Sequence, residues 1–184
     1  MIPDYPEPGM AQLMQTSGRD CINQTGGAMP LNPDELKSIV SQLKTELNVD
    51  VCSMYLLRDD ATSLSLVATD GLNQRVLGSV LSLNQGLTGN VARNKKPLMV
   101  TNPSQHPDYF HLQGSDEEEY ASYLGIPLVH DDQLLGVLTV QTIASKLFLL
   151  PDIQRMYSSR RSVIDLLKRI EGVSDSRNSK RLSA

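Results

Sequence analysis

The sequence predicts an α+β domain: a central antiparallel sheet with terminal helices on one face and a pocket, covered by a loop and a short helix, on the other. Three observations predict it. Apolar residues recur at helical spacing towards both ends of the chain, around 33–47 and after Pro151. Between them run short segments of strand length with alternating character, separated by turn signals. The stretch from Asn102 to Ala121 lacks periodicity and is too long for a plain connection, and such segments in compact domains usually carry function.

The elements follow in order. Residues 1–31 hold prolines at 3, 6, 8 and 30 and a Gly26-Gly27 pair without apolar periodicity, which predicts a disordered arm. Asn32 can cap a first helix, Pro33 suits its first position and Glu35 can complete a capping box. Leu36, Ile39, Val40, Leu43 and Leu47 then form one face. Val49–Leu57 and Leu64–Thr69 read as strands joined by a turn at Arg58-Asp59-Asp60, and Leu77–Leu83 as a third. Gly86–Asn94 reads as a short helix that Pro97 prevents from continuing. Leu98–Thr101 is a fourth strand. Tyr123–Val129 and Leu134–Gln141 make the strongest hairpin, turning at His130-Asp131-Asp132-Gln133. A last helix follows Pro151-Asp152, with Ile153, Met156, Tyr157, Val163, Ile164, Leu167 and Ile170 on a stripe that Arg160 interrupts. Gly172 is its stop signal, and 172–184 reads as a disordered tail or the start of a linker. The domain proper is therefore 32–171.

Composition bounds the function. The chain has 184 residues, 40 % of them hydrophobic, enough for one sizeable core. A net charge of −4 argues against nucleic acid as a partner. No apolar run approaches the roughly 20 residues of a membrane span, so no membrane partner is expected. The first residues show no basic segment followed by an apolar one, which predicts a cytoplasmic protein. Cys21 and Cys52 are too few and too far apart for a disulfide framework or a metal site.

Several stretches, in order, carry a resemblance. Asp50-Val51-Cys52-Ser53-Met54-Tyr55-Leu56, Ala68-Thr69-Asp70-Gly71-Leu72 and Gly86-Leu87-Thr88-Gly89-Asn90-Val91-Ala92 come first. Lys96-Pro97-Leu98, Tyr123-Leu124-Gly125-Ile126-Pro127-Leu128 and Leu134-Leu135-Gly136-Val137-Leu138-Thr139-Val140-Gln141 follow. Together, over about 33–170, they resemble a GAF domain, a small-molecule sensor and dimerisation module with a profilin-like sheet. Within that family the chain is most similar to the N-terminal GAF domain of the nitrogen-related enzyme I of the phosphotransferase system, helped by His106-Pro107-Asp108-Tyr109-Phe110. The Gly-Gly-x-Thr-Ser-His stretch and the phosphoenolpyruvate-binding barrel of an enzyme I are absent from this sequence. No catalytic residue is therefore assigned, and no activity is expected of this chain.

Other chemistry is thin. His106 and His111 flank Asp108, but a metal needs three or four converging ligands, so no metal and no cofactor are expected. Cys52, in a strand, reads as a small buried hydrophobe. Gly86-x-x-Gly89 lacks the following Gly-Lys-Ser/Thr of a phosphate loop and reads as a tight helix entry. Ser115-Asp116-Glu117-Glu118-Glu119 reads as a capped helical turn.

The half-polar sheet face supplies the candidate ligand site. Ser53, Tyr55, Thr139 and Gln141 lie on it, Tyr109 and His111 belong to the covering segment, and Asn90 and Arg93 on the short helix reach the rim. Hydroxyl, amide and cationic groups around apolar walls suit a small polar metabolite with a carboxylate. They could equally satisfy one another, since buried polar groups need partners with or without a ligand. The resemblance implies a nitrogen metabolite such as glutamine or 2-oxoglutarate and a module that passes a signal on. The apolar stripe of the last helix, larger than one sheet face needs, predicts a homodimer through the terminal helices. The alternatives are a GAF domain serving dimerisation alone, or a fragment or relative of a GAF enzyme.

Overall fold

Asn32 starts the first helix as expected: its Oδ1 accepts the Asp34 N–H at 3.0 Å, satisfying one of the free donors of the opening turn. This α1 (Pro33–Leu47) carries Asp34 and Glu35 in its first turn and Lys44 in its last, matching the helix dipole. The structure, a computed structural model, describes residues 32–110 and 120–178, the side chains of 169–178 excepted. The expectations for the 1–31 arm, Cys21, His111 and the 115–119 turn lie outside the described residues.

Six strands follow: β1 (Val51–Leu57), β2 (Ser63–Asp70), β3 (Val80–Ser82), β4 (Leu98–Thr101), β5 (Ser122–His130) and β6 (Gln133–Thr142). They form one antiparallel sheet in the order β3-β2-β1-β6-β5-β4. β3 is shorter than expected, because the chain leaving the 3₁₀ turn at Gln74–Val76 returns through Gly78, at φ 84°, before pairing begins at Val80. The β5–β6 hairpin closes on Asp131-Asp132, both with positive φ (47° and 60°), the two-residue turn whose twist suits a hairpin.

Helices α1 and α3 (Leu150–Asn178) cover one face, as predicted. Leu36, Val40, Leu43, Met156, Val163 and Leu167 pack there against Cys52, Met54, Leu124, Leu138 and Val140. The other face carries α2 (Gly86–Asn94), whose Leu87, Val91 and Ala92 pack on Leu64, Tyr123 and Val137.

Two expectations need correction. Gly172 does not end α3, which continues to Asn178; a glycine costs a helix only about 1 kcal/mol, and no proline follows to break it. Strict alternation puts Leu134 with Leu138 and Leu135 with Val137, but the register shifts between Leu128 and Val129. That bulge turns Leu135 towards the helices and Leu134 towards α2. Arg160, which interrupts the apolar stripe of α3, donates to the Val129 carbonyl at 3.0 Å, its guanidinium 5.3 Å from the Tyr157 ring centre.

α1 is also tied to β2. Ser41 Oγ donates to Asp70 at 2.5 Å, Lys44 Nζ at 3.1 Å, and Lys37 lies 3.6 Å away while bonding the Thr69 carbonyl. The Ser41 hydroxyl, then Lys44 and Lys37, hold the Asp70 carboxyl below the usual carboxylate range. A depressed folded-state pKa adds stability above the unfolded value and loses it as pH falls through the folded one. Asp70→Asn should therefore cost about 1–2 kcal/mol near neutrality, discounted for partial exposure. The gap between parent and variant should close in acid, as read by urea unfolding. A gap that persists unchanged to low pH would show that Asp70 acts through shape rather than charge.

Candidate ligand-binding site

The face of the sheet away from the terminal helices is polar for a reason of register. Ser53 pairs with Thr69 on one side and Thr139 on the other, and Gln141 lies opposite both Val51 and Tyr123. These side chains cannot be satisfied by aliphatic neighbours, so each finds a partner or borders a space. Ser53, fully buried, shares a hydrogen bond with Thr69 Oγ1 at 2.7 Å, and Thr139 Oγ1 donates to the Ser53 carbonyl at 3.4 Å.

Further along, the face opens into a cavity of about 60 Å³. Its floor is Tyr55, Tyr123, Thr139 and Gln141; the first turn of α2 from Gly86 to Thr88 makes one wall, and Ser79–Leu81 makes another. Pro103, Tyr109, Phe110 and Tyr120 close it from above. Buried water needs roughly 10–15 Å³ by a comparable measure, so the space admits a group of several atoms. Gly86, at φ 73°, lets the covering segment come down on the helix: a Cβ there would stand 3.3 Å from Phe110 Cβ.

Tyr123 is the best buried polar group of the site. Its hydroxyl lies 3.3 Å from Thr88 Oγ1, and burial pushes the phenol up, so it stays neutral and can donate. Gly125 makes room for it, since a Cβ there would meet the phenol oxygen at 2.5 Å.

The eight residues selected from sequence divide. Tyr55, Tyr109, Thr139 and Gln141 line the cavity. Ser53 sits deeper in the sheet, committed to Thr69. Asn90 and Arg93 are engaged elsewhere. Asn90 Nδ2 donates to Asp108 at 2.6 Å, while Arg93 comes within 4.0 Å of the same carboxylate and also donates to the Leu83 carbonyl. They clamp the 106–110 segment onto α2. His106 helps shape that segment, its Nδ1 accepting the Asp108 N–H at 3.1 Å. Thr88, Tyr123, Phe110 and Tyr120 were not selected. The pairing of Tyr123 with Gln141 would have revealed the second of these, once the hairpin register was known.

Among the described residues no group of three His, Cys, Asp or Glu could hold a metal ion. Cys52 is buried in the helix-side core, and that burial pushes its thiol up, away from reactivity. No helix among the described residues is long and apolar enough to cross a membrane.

Comparison with known proteins agrees with the geometry. The family profile described as GAF domain matches residues 33–148. A phosphoenolpyruvate-dependent phosphotransferase system protein of Escherichia coli is 32 % identical over 122 residues, covering 66 % of this chain and 16 % of the relative. The Nif-specific regulatory protein of Azospirillum lipoferum is 27 % identical over 115 residues, 60 % of this chain and 18 % of that one. The chain thus matches less than a fifth of the length of these curated relatives. Among solved structures, the GAF domain of a phosphoenolpyruvate-protein phosphotransferase from Coxiella burnetii superposes with TM-score 0.69 at 30 % identity, covering 78 % of this chain and 84 % of the other. The match lies in a regulatory domain and not in the catalytic parts of an enzyme I.

Proposed function

This chain belongs to the GAF domain family, and from that premise we propose that it is a cytoplasmic ligand-sensing module linked to nitrogen control of a phosphotransferase system. A small metabolite enters the cavity beneath 103–110, and its occupancy is passed on through the terminal helices. The observation that carries this reading is the cavity itself, floored by hydroxyl and amide groups and held shut by the Asn90–Asp108–Arg93 clamp. Similarity to a Nif-specific regulatory protein supports a nitrogen metabolite, with glutamine and 2-oxoglutarate as the first to test. A purely structural role would not need an open space there.

Binding to the folded state alone adds about 2.7 kcal/mol at a hundredfold excess over Kd. For a domain of this size that raises the melting temperature by about 8 °C. A melting series with glutamine, glutamate, 2-oxoglutarate and cyclic nucleotides should show such a rise for one of them. The rise should vanish when Thr139 and Gln141 are replaced by Val and Met. A flat response to the whole series leaves only the dimerisation role.

The dimer follows from the same ends of the chain. Leu147, Leu149 and Leu150, at the head of α3, are 64 %, 57 % and 65 % exposed, an apolar patch that a second copy would cover. Leu150→Glu should keep the fold and shift sedimentation towards monomer. A parent chain that is monomeric at about 50 µM, a concentration that even weak specific interfaces populate, would end this part of the proposal.

A further inference from the structure

Five aromatic side chains line the cavity: Tyr55, Tyr109, Phe110, Tyr120 and Tyr123. The whole chain has only eight, six Tyr and two Phe, with no Trp. A chain with 4 % aromatic residues has thus placed most of them around one space of about 60 Å³. The lining carries no Lys, Arg, His, Asp or Glu among the described residues. Arg93, the cation closest in sequence to the α2 wall, is spent on Asp108 and the Leu83 carbonyl.

This lining discriminates between charges. A dicarboxylate would give up hydration with no side-chain counter-charge among the described lining residues to replace it, which is costly. A primary ammonium brings three N–H donors, each needing an acceptor. A methylated ammonium has few or none to satisfy, is weakly hydrated, and is attracted by aromatic rings within roughly 6 Å. All five aromatic residues border the same cavity, so a head group seated there has rings on several sides. The chain uses the same pairing on its other face, where Lys146 stands 5.4 Å from the Phe148 ring centre and Arg160 5.3 Å from that of Tyr157.

We infer that the cavity selects a small methylated ammonium compound, its positive head among the aromatic rings and its polar tail towards Thr139 and Gln141. The inference rests on the reading of this cavity as a ligand site and names the chemical class of the ligand.

Calorimetric titration of the full chain tests it with choline, glycine betaine and tetramethylammonium, beside the neutral tert-butyl isostere of choline, glutamine and 2-oxoglutarate. Choline should bind about fivefold tighter than its isostere, which matches its shape and lacks only the charge. Tyr109→Phe, which keeps the ring, should preserve that preference; Tyr109→Leu should reduce it by about the same factor. Tyr109 is 39 % exposed, and Phe110→Leu, at 40 %, provides a second ring deletion if the first fails to fold. Equal or tighter binding of the isostere overturns the inference. So does binding of glutamine or 2-oxoglutarate while every ammonium compound fails, an outcome that leaves the sensor reading standing. Silence from all six compounds overturns the inference, and silence from glutamate and the cyclic nucleotides as well overturns the sensor reading.

Discussion

Aspartate at Ile164 is expected to unfold the domain, not to separate two copies of it. The apolar stripe of α3 read from the sequence looks larger than one sheet face needs, and so suggests an interface. The structure covers the middle of it within a single chain: Met156 and Val163 are fully buried, Ile164 is 7 % exposed and Leu167 9 %, while Ile153 and Tyr157 are half-buried. A carboxylate at 164 would either stay charged in a space without a partner or take up a proton, and both cost several kcal/mol. The side chain it replaces also loses its burial, about 2 kcal/mol for an isoleucine. The combined loss, about 5 kcal/mol, reaches the lower end of the 5–15 kcal/mol that holds a typical domain folded. Urea unfolding followed by circular dichroism should show the midpoint fall steeply, while Ile164→Val costs about 1 kcal/mol. A variant that unfolds near the parent midpoint and only changes its sedimentation would place Ile164 at an interface after all. The exposed apolar side chains near this helix are Leu147, Leu149 and Leu150, which precede or open it, and the association proposed above rests on them and not on the buried stripe.

The same contrast shows what the sequence discloses. Helix and strand periodicities are local, and they located α1, α2 and the β5–β6 hairpin within a residue or two. The sheet face that takes the helices was legible as well, because Cys52, Met54, Leu138 and Val140 alternate without interruption. What is not local was harder to read. One extra residue at the Leu128/Val129 bulge reverses the sides of Leu134 and Leu135, and nothing in the alternation announces it. Of the candidate ligand residues, Tyr55, Thr139 and Gln141, selected from their sheet face alone, line the cavity. Asn90 and Arg93 were not separable that way. Both stand on the helix that borders the cavity, but the nearby Asp108, brought by a loop, captures them. A polar residue near a pocket serves the ligand or the wall, and only the contacts decide.

Gly136 joins the core of the sheet to its site, and Gly136→Ala should damage both. The residue lies in β6 between its two partners, opposite Leu56 of β1 and Leu128 of β5. A Cβ built there would stand 2.1 Å from the Tyr55 carbonyl oxygen and 3.1 Å from the Leu56 Cα. These are backbone atoms of a central strand, so no side-chain rotation relieves the clash. β1 must draw away from β6, weakening hydrogen bonds on either side of the pair. Overpacking of this kind costs about 3 kcal/mol, at the upper end of the usual range, because the neighbour that must yield is a paired strand. The displaced residue is Tyr55, part of the cavity floor, so any melting response to ligand should fall with the stability. Gly125→Ala is the matched control. Its Cβ meets the Tyr123 phenol oxygen at 2.5 Å and Val91 Cγ2 at 2.9 Å, both side-chain atoms that can move, so about 1 kcal/mol is expected. Urea midpoints for the two alanine variants should therefore differ, with Gly136→Ala much the lower. If the order is reversed, β1 and β6 are not held as closely as this register requires, and the floor of the cavity is softer than its hydrogen bonds imply.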